Sequence, residues 1–224
     1  MYENIIVIPY RNREKHLDYF VKNTVPLIQT HLPNSKVVVV EQNEGKLFNR
    51  GAILNVAFKE YENKTKFFFT HDVDLNPTEE IIKTVYTNDM NDMYRIKSAH
   101  HESLGGIIKA KHEIIFHING FPNHIWGWGI EDRVLYYRCY IKNIKITNNT
   151  NNSFKILPHT SNVENYTNEK KIISDIWQKP NIDSLNKDEK EKLIQESGLN
   201  TINYNILSRK NIHDIVEIIK VDIF

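Results

Sequence analysis

A single cysteine, Cys139, stands in a chain of 224 residues. No intrachain disulfide can form, so the fold does not need an oxidising compartment. An excess of one charge sign is also missing: 29 Lys and Arg face 28 Asp and Glu, for a formal net charge of +1. That balance argues against a nucleic-acid binder held by electrostatics, which shows a basic stripe or face. No apolar run approaches the length of a bilayer span, and Met1-Tyr2-Glu3-Asn4 enters the first apolar stretch with no basic region before it. The expectation is a cytoplasmic or otherwise soluble protein, or a trimmed part of an anchored one, with no membrane segment in this chain.

What is present reads as one α/β domain over residues 1–224, a length that can bury a sizeable core. Ile5 to Ile8, Val37 to Val40 and Phe67 to Phe69 are short runs rich in β-branched or aromatic residues, which predict buried strands. Ala52, Ile53, Val56, Ala57 and Tyr61 recur at spacings of three and four, predicting a helix over Asn49 to Tyr61. A second helical pattern, Glu14 to Leu32, contains Pro26 and should kink or break there. This β-α-β-α-β order predicts a mixed, mainly parallel sheet flanked by helices on both faces. Ligands of such sheets lie beyond the carboxyl ends of the strands, where Pro9-Tyr10-Arg11-Asn12-Arg13, Glu41-Gln42-Asn43 and His71-Asp72-Val73-Asp74 fall.

Asp72 and Asp74 sit two apart at the end of a buried run. Extended backbone would turn both carboxylates to one side and Val73 to the other. Paired carboxylates repel unless a cation sits with them, and Mg²⁺ or Mn²⁺ would also take phosphate oxygens. Arg11, Arg13 and Arg50 are expected at the same edge, where a planar guanidinium suits phosphate. Trp126-Gly127-Trp128-Gly129 alternates flat apolar rings with conformationally free residues, as a loop that stacks on a sugar ring and closes over it would. Glu131 and Asp132 then open an amphipathic stretch. Neighbouring helical residues point about 100° apart, so the two carboxylates should serve different partners. One would bind sugar hydroxyls while the other removes a proton.

Ile8-Pro9-Tyr10-Arg11-Asn12-Arg13-Glu14, Phe48-Asn49-Arg50-Gly51-Ala52, Asp72-Val73-Asp74-Leu75 and Asn119 to Asp132 resemble, in order, motifs of the β-1,4-galactosyltransferase family. The similarity continues through Gly105-Gly106, His159, Gly198-Leu199-Asn200 and Val221-Asp222-Ile223. This resemblance implies a GT-A fold, with a nucleotide-binding half over about 1–75 and a donor-sugar and acceptor half over about 76–224 that carries the Trp loop, 124–132. It implies an inverting transferase that uses a UDP-sugar donor and Mn²⁺. The acceptor would be a glycan, a glycoprotein or a small sugar. Pro9, Tyr10, Arg11, Arg13, Phe48, Arg50, Asp72 and Val73 would line the uridine and diphosphate site, and Ser103, Gly105 and Gly106 the donor pocket. Asp74 and His159 would bind the metal. Trp128 would close over donor and acceptor, Glu131 would contact sugar hydroxyls, and Asp132 would be the general base, with Gly129 and Arg133 beside the acceptor.

Three positions depart from that pattern. Ile156 stands where a methionine metal ligand occurs in the vertebrate enzymes, which predicts that Mg²⁺ substitutes more readily for Mn²⁺. Ser103 replaces a tyrosine that restricts the sugar's 2-position, so N-acetylgalactosamine joins galactose as an expected donor sugar. Arg133 interrupts an acidic run and would reshape the acceptor pocket. Two alternatives stay open: transfer of another UDP-sugar, such as GlcNAc or glucose, and a non-catalytic protein that binds glycans or nucleotide sugars.

Overall fold

Strand 2–10 places Ile5 and Val7 in one apolar cluster and Ile6 and Ile8 in another, as the two-residue period of an extended chain requires. The same division separates Val38 and Val40 from Val37 and Val39. A sheet buried on both faces needs continuous apolar runs, which is why these segments do not alternate with polar residues. The computed structural model describes residues 1–89, 92–158 and 167–224. The candidate metal ligand His159 therefore lies outside the described residues.

In chain order the elements are β1 (Tyr2–Tyr10), α1 (Glu14–Asn23), α2 (Val25–His31), β2 (Ser35–Gln42), α3 (Arg50–Glu60), β3 (Thr65–His71) and β4 (Leu75–Pro77). There follow α4 (Glu79–Ile81), which runs into a π-turn over Ile82–Tyr86, then β5 (Met93–Lys97), β6 (Ile107–Lys111), α5 (His112–His117) and α6 (Glu131–Ile141). The chain continues through β7 (Ile146–Asn148), β8 (Phe154–Ile156), α7 (Asn168–Ile176), α8 (Lys179–Ser184), α9 (Lys187–Gln195), β9 (Tyr204–His213) and β10 (Val216–Ile223). The expected helix over 14–32 is broken at Thr24, and Pro26 falls in the first turn of α2, where its missing N–H costs nothing.

Eight strands form one sheet in the order β7-β5-β6-β3-β1-β2-β10-β9, and β4 pairs separately with β8. Strands β3, β1, β2 and β10 run parallel, while β6 and β9 join antiparallel on either side. Strand order reverses at β1, whose neighbours β2 and β3 lie on opposite sides. A crevice opens at such a switch point, which puts Pro9, Tyr10 and Arg11 at its floor. Because β10 pairs with β2, the last strand of the chain belongs to the same sheet as the nucleotide-binding half expected over 1–75. Among the described residues no helix is long and apolar enough to cross a membrane.

Candidate active site

Helix α3 begins at the crevice because Asn49 caps it. Its side chain accepts from the Ala52 N–H at 2.9 Å, and its Nδ2 donates to the Asn123 carbonyl at 2.6 Å. The next residue, Arg50, has only 13% of its side chain exposed, and its Nε and Nη2 donate to Asp72 Oδ1 at 3.0 and 2.8 Å. Arg50 Nη1 lies 3.8 Å from Glu131 Oε1. One guanidinium thus joins the end of β3 to the start of α6. Arg11 donates to the Lys46 carbonyl at 2.7 Å and sits 5.2 Å over the Phe48 ring, so Tyr10, Arg11, Phe48, Arg50 and Asp72 line a single edge.

The extended backbone expected at Asp72-Val73-Asp74 is not what forms. Leu75 N–H bonds the Asp72 carbonyl at 3.1 Å, closing a turn that buries Val73. The cause is long-range: Asp72 N–H bonds the Gly106 carbonyl at 3.3 Å, and β4 leaves the main sheet to pair Leu75 with Ile156. Asp72 is paired with Arg50, which sets a cation beside one of the two carboxylates. Asp74 is half-buried, and its carbonyl accepts from Leu157 N–H at 2.9 Å, which brings the chain before His159 to this turn. Ile156 is exposed and apolar. His71 is fully buried between the Asp72 carbonyl and the Tyr86 hydroxyl, and burial lowers its pKa to about 4, so it is neutral near pH 7.

Glu131 and Asp132 open α6 and diverge as their spacing predicted. Glu131 is 7% exposed, and burial, then Asp132, raise its pKa to about 7 although Arg50 opposes them. Glu131 Oε2 and Arg50 Nη1 are buried without a hydrogen-bond partner. Asp132 instead faces Ser103, whose Oγ donates to Oδ2 at 2.5 Å. The backbone at Gly106 has φ +69°, and a Cβ there would lie 2.4 Å from the Lys97 carbonyl oxygen. Arg133 sends Nη1 to Ser174 Oγ on α7 at 3.1 Å.

Between these carboxylates and α3 runs the Trp loop. Trp126 is half-buried beneath Lys46, whose Nζ stands 5.4 Å from its ring, whereas Trp128 is 59% exposed. Positive φ recurs at Gly127, Gly129 and Ile130, the last at +83°. For a β-branched residue that conformation costs roughly 1–2 kcal/mol, offset by packing of Ile130 against Val134, Tyr137 and Trp177. Two hydrogen bonds fix the loop: Gly127 N–H to the Phe48 carbonyl at 2.7 Å, and Lys170 Nζ to the Trp128 carbonyl at 2.8 Å. Lys170 was not a candidate from sequence. It is 3% exposed, and nothing local marked it: the apolar Ile172 and Ile176 of α7 face outward while Lys170 and Ser174 face in.

Two family models match in tandem: the N-terminal region of glycosyl transferase group 7 over residues 1–88, and the N-terminal domain of galactosyltransferase over residues 89–161. Human β-1,4-galactosyltransferase 4 is 36% identical over 152 residues, which cover 63% of this chain and 44% of that protein. Bovine β-1,4-galactosyltransferase 1 is 30% identical over 150 residues, covering 63% and 37%. The aligned region thus spans less than half the length of these relatives. The catalytic domain of Drosophila β-1,4-galactosyltransferase 7 with xylobiose superposes with a TM-score of 0.81 at 21% identity, covering 100% of this chain and 95% of that one. A mutant of the fly enzyme, solved with manganese, UDP-Gal and xylobiose, gives 0.80 at 20% identity with the same coverage. From crevice to Trp loop, with adjoining family models over residues 1–161, this chain belongs to the β-1,4-galactosyltransferase family and has the GT-A fold.

Proposed function

We propose that this chain is an inverting glycosyltransferase that moves galactose or N-acetylgalactosamine from UDP to a hydroxyl of a glycan, glycoprotein or small sugar. The observation that carries the reading is the unsatisfied pair of buried atoms, Glu131 Oε2 and Arg50 Nη1, beside the carboxylate of Asp132. A buried polar atom without a partner costs about 1–3 kcal/mol, which a hydroxyl-bearing ligand offsets by supplying a donor to the one and an acceptor to the other. Sugars carry such hydroxyls. The fly enzyme's complex with UDP-Gal and xylobiose supports a UDP-sugar donor and a sugar acceptor for this relative.

In this reading Arg11 and Arg50 meet the diphosphate, and Trp128, exposed on a loop of positive-φ residues, covers the sugar and excludes water. Asp132 takes the acceptor's proton as that oxygen attacks the anomeric carbon from the side opposite UDP, which inverts the centre. A divalent cation would supply charge neutralisation at the departing diphosphate. Asp74 is a hard oxygen donor suited to Mn²⁺ or Mg²⁺, and His159 would be its companion. Among the described residues no group of three or more His, Cys, Asp or Glu could hold an ion, and His159 lies outside them. Small Ser103 keeps N-acetylated donors within the reading.

UDP release from UDP-galactose, UDP-GalNAc, UDP-GlcNAc and UDP-glucose, with simple sugar acceptors and Mn²⁺ or Mg²⁺, tests the proposal. One or two donors should turn over, and Asp74→Asn should lose most of that turnover together with metal-enhanced UDP affinity. Sugar binding without UDP release from any donor would replace the enzyme with a binding protein.

A further inference from the structure

We infer that Ser103-Leu104-Gly105 is a cradle that fixes the side-chain direction of Asp132, and that Ser103 is a positioning residue for proton removal. The inference rests on the reading of Asp132 as the general base and deepens it. Four contacts converge on this one residue. Ser103 Oγ donates to Oδ2 at 2.5 Å, Arg133 N–H donates to Oδ1 at 2.8 Å, and Leu104 N–H donates to the Asp132 carbonyl at 3.1 Å. A Cβ built on Gly105 would stand 2.7 Å from Oδ2, closer than any real contact, so only glycine leaves the carboxylate where it is. Gly105 is not among the positive-φ residues, so the requirement is for space and not for an unusual backbone angle.

The direction of the Ser103 hydroxyl is itself determined. Ser98 Oγ donates its single hydrogen to the Ser103 carbonyl at 3.1 Å and lies 3.2 Å from Ser103 Oγ, while Gly105 N–H donates to Ser103 Oγ at 3.3 Å. With the Gly105 N–H on that oxygen and Asp132 Oδ2 as its shortest contact at 2.5 Å, its single hydrogen goes to the carboxylate. Ser103 is 5% exposed, so water does not compete for the bond. An ionised carboxylate has about four acceptor sites, and the two donors named leave room for an acceptor hydroxyl. Holding the base in place matters because a misplacement of about 1 Å costs on the order of 100-fold in rate. Ser103 thus acts on the chemical step through Asp132, and its small size is a second, separable property.

Steady-state kinetics of Ser103→Ala, Ser103→Thr and Gly105→Ala with one donor and one acceptor separate these roles, with UDP affinity as the check on folding. Ser103→Ala should lower kcat by about 10- to 100-fold. Its donor KM should stay within about twofold and its preference between plain and N-acetylated donors unchanged, since only the base has moved. Ser103→Thr keeps the hydroxyl and should recover most of the loss. Gly105→Ala, whose added Cβ meets Asp132 while the Ser103 hydroxyl is kept, should show the same fall in kcat at unchanged UDP affinity. Wild-type turnover with unaltered kcat in both Ser103→Ala and Gly105→Ala would overturn the inference alone, as would a changed donor preference at constant kcat. No turnover by the wild type with any donor would overturn the parent reading and this role with it.

Discussion

Glu131 shows how a single residue is set against stability for the sake of a site. Burial and Asp132 raise its pKa from 4.5 to about 7. The native state then binds more protons than the unfolded chain between those values, so its contribution to stability is full below about pH 4.5 and is lost as pH rises to about 7. A shift of that size corresponds to about 3 kcal/mol. Glu131→Gln removes the titration. Its melting temperature relative to wild type should rise between pH 4.5 and 7.5 and level off above, while transfer activity falls. Parallel melting curves across that range would contradict the assignment. At this scale the sequence was legible where local geometry decides: adjacency on a helix sent Glu131 to Arg50 and Asp132 to Ser103. The Asp72-Asp74 turn was not legible, because Gly106 and Ile156, far along the chain, decide it.

Among the elements, α3 is the one that places the site. Asn49 caps it and also bonds Asn123 ahead of the Trp loop, so Asn49→Ala loses a cap and a partly buried hydrogen bond, together about 2 kcal/mol. Denaturant unfolding should show that loss, with Asn49→Asp between the two because it keeps the cap and loses the donor. Equal midpoints for Asn49→Ala and wild type would remove Asn49 from this role. Helix α7 holds the loop from its other side through Lys170. Lys170→Met keeps the aliphatic stem and deletes the bond to the Trp128 carbonyl. Amide exchange over 126–130 should quicken and the acceptor KM should rise several-fold, with kcat less affected; unchanged exchange would mean that α7 does not hold the loop. A break near Pro26, found at Thr24, the span of α3 and the start of α6 could be read from spacing and proline chemistry alone. The contact of Lys170 could not, since a lysine carries no local sign that its ammonium will be buried against a carbonyl.

Across the whole molecule, one sheet separates two cores, and the site gathers where strand order reverses at β1. The mainly parallel sheet followed from β-branched runs alternating with helical patterns over the first 75 residues. The place of β10 beside β2 did not, because parallel pairing across so long an interval leaves no local trace. That strand joins residues 216–223 to the sheet edge that carries Tyr10 and Arg11, and Lys46 makes the join concrete by donating to the Ile223 carbonyl at 2.8 Å while lying over Trp126. Family membership then places on one frame residues that arise more than 100 positions apart.

Asp132 is the group proposed to take the acceptor's proton. The direct measurement is UDP release with saturating donor, acceptor and Mn²⁺ by wild type and Asp132→Asn, with UDP affinity measured for both. In Asp132→Asn kcat should fall by about 100-fold or more at unchanged UDP affinity. Retained turnover in Asp132→Asn would contradict it and require another base.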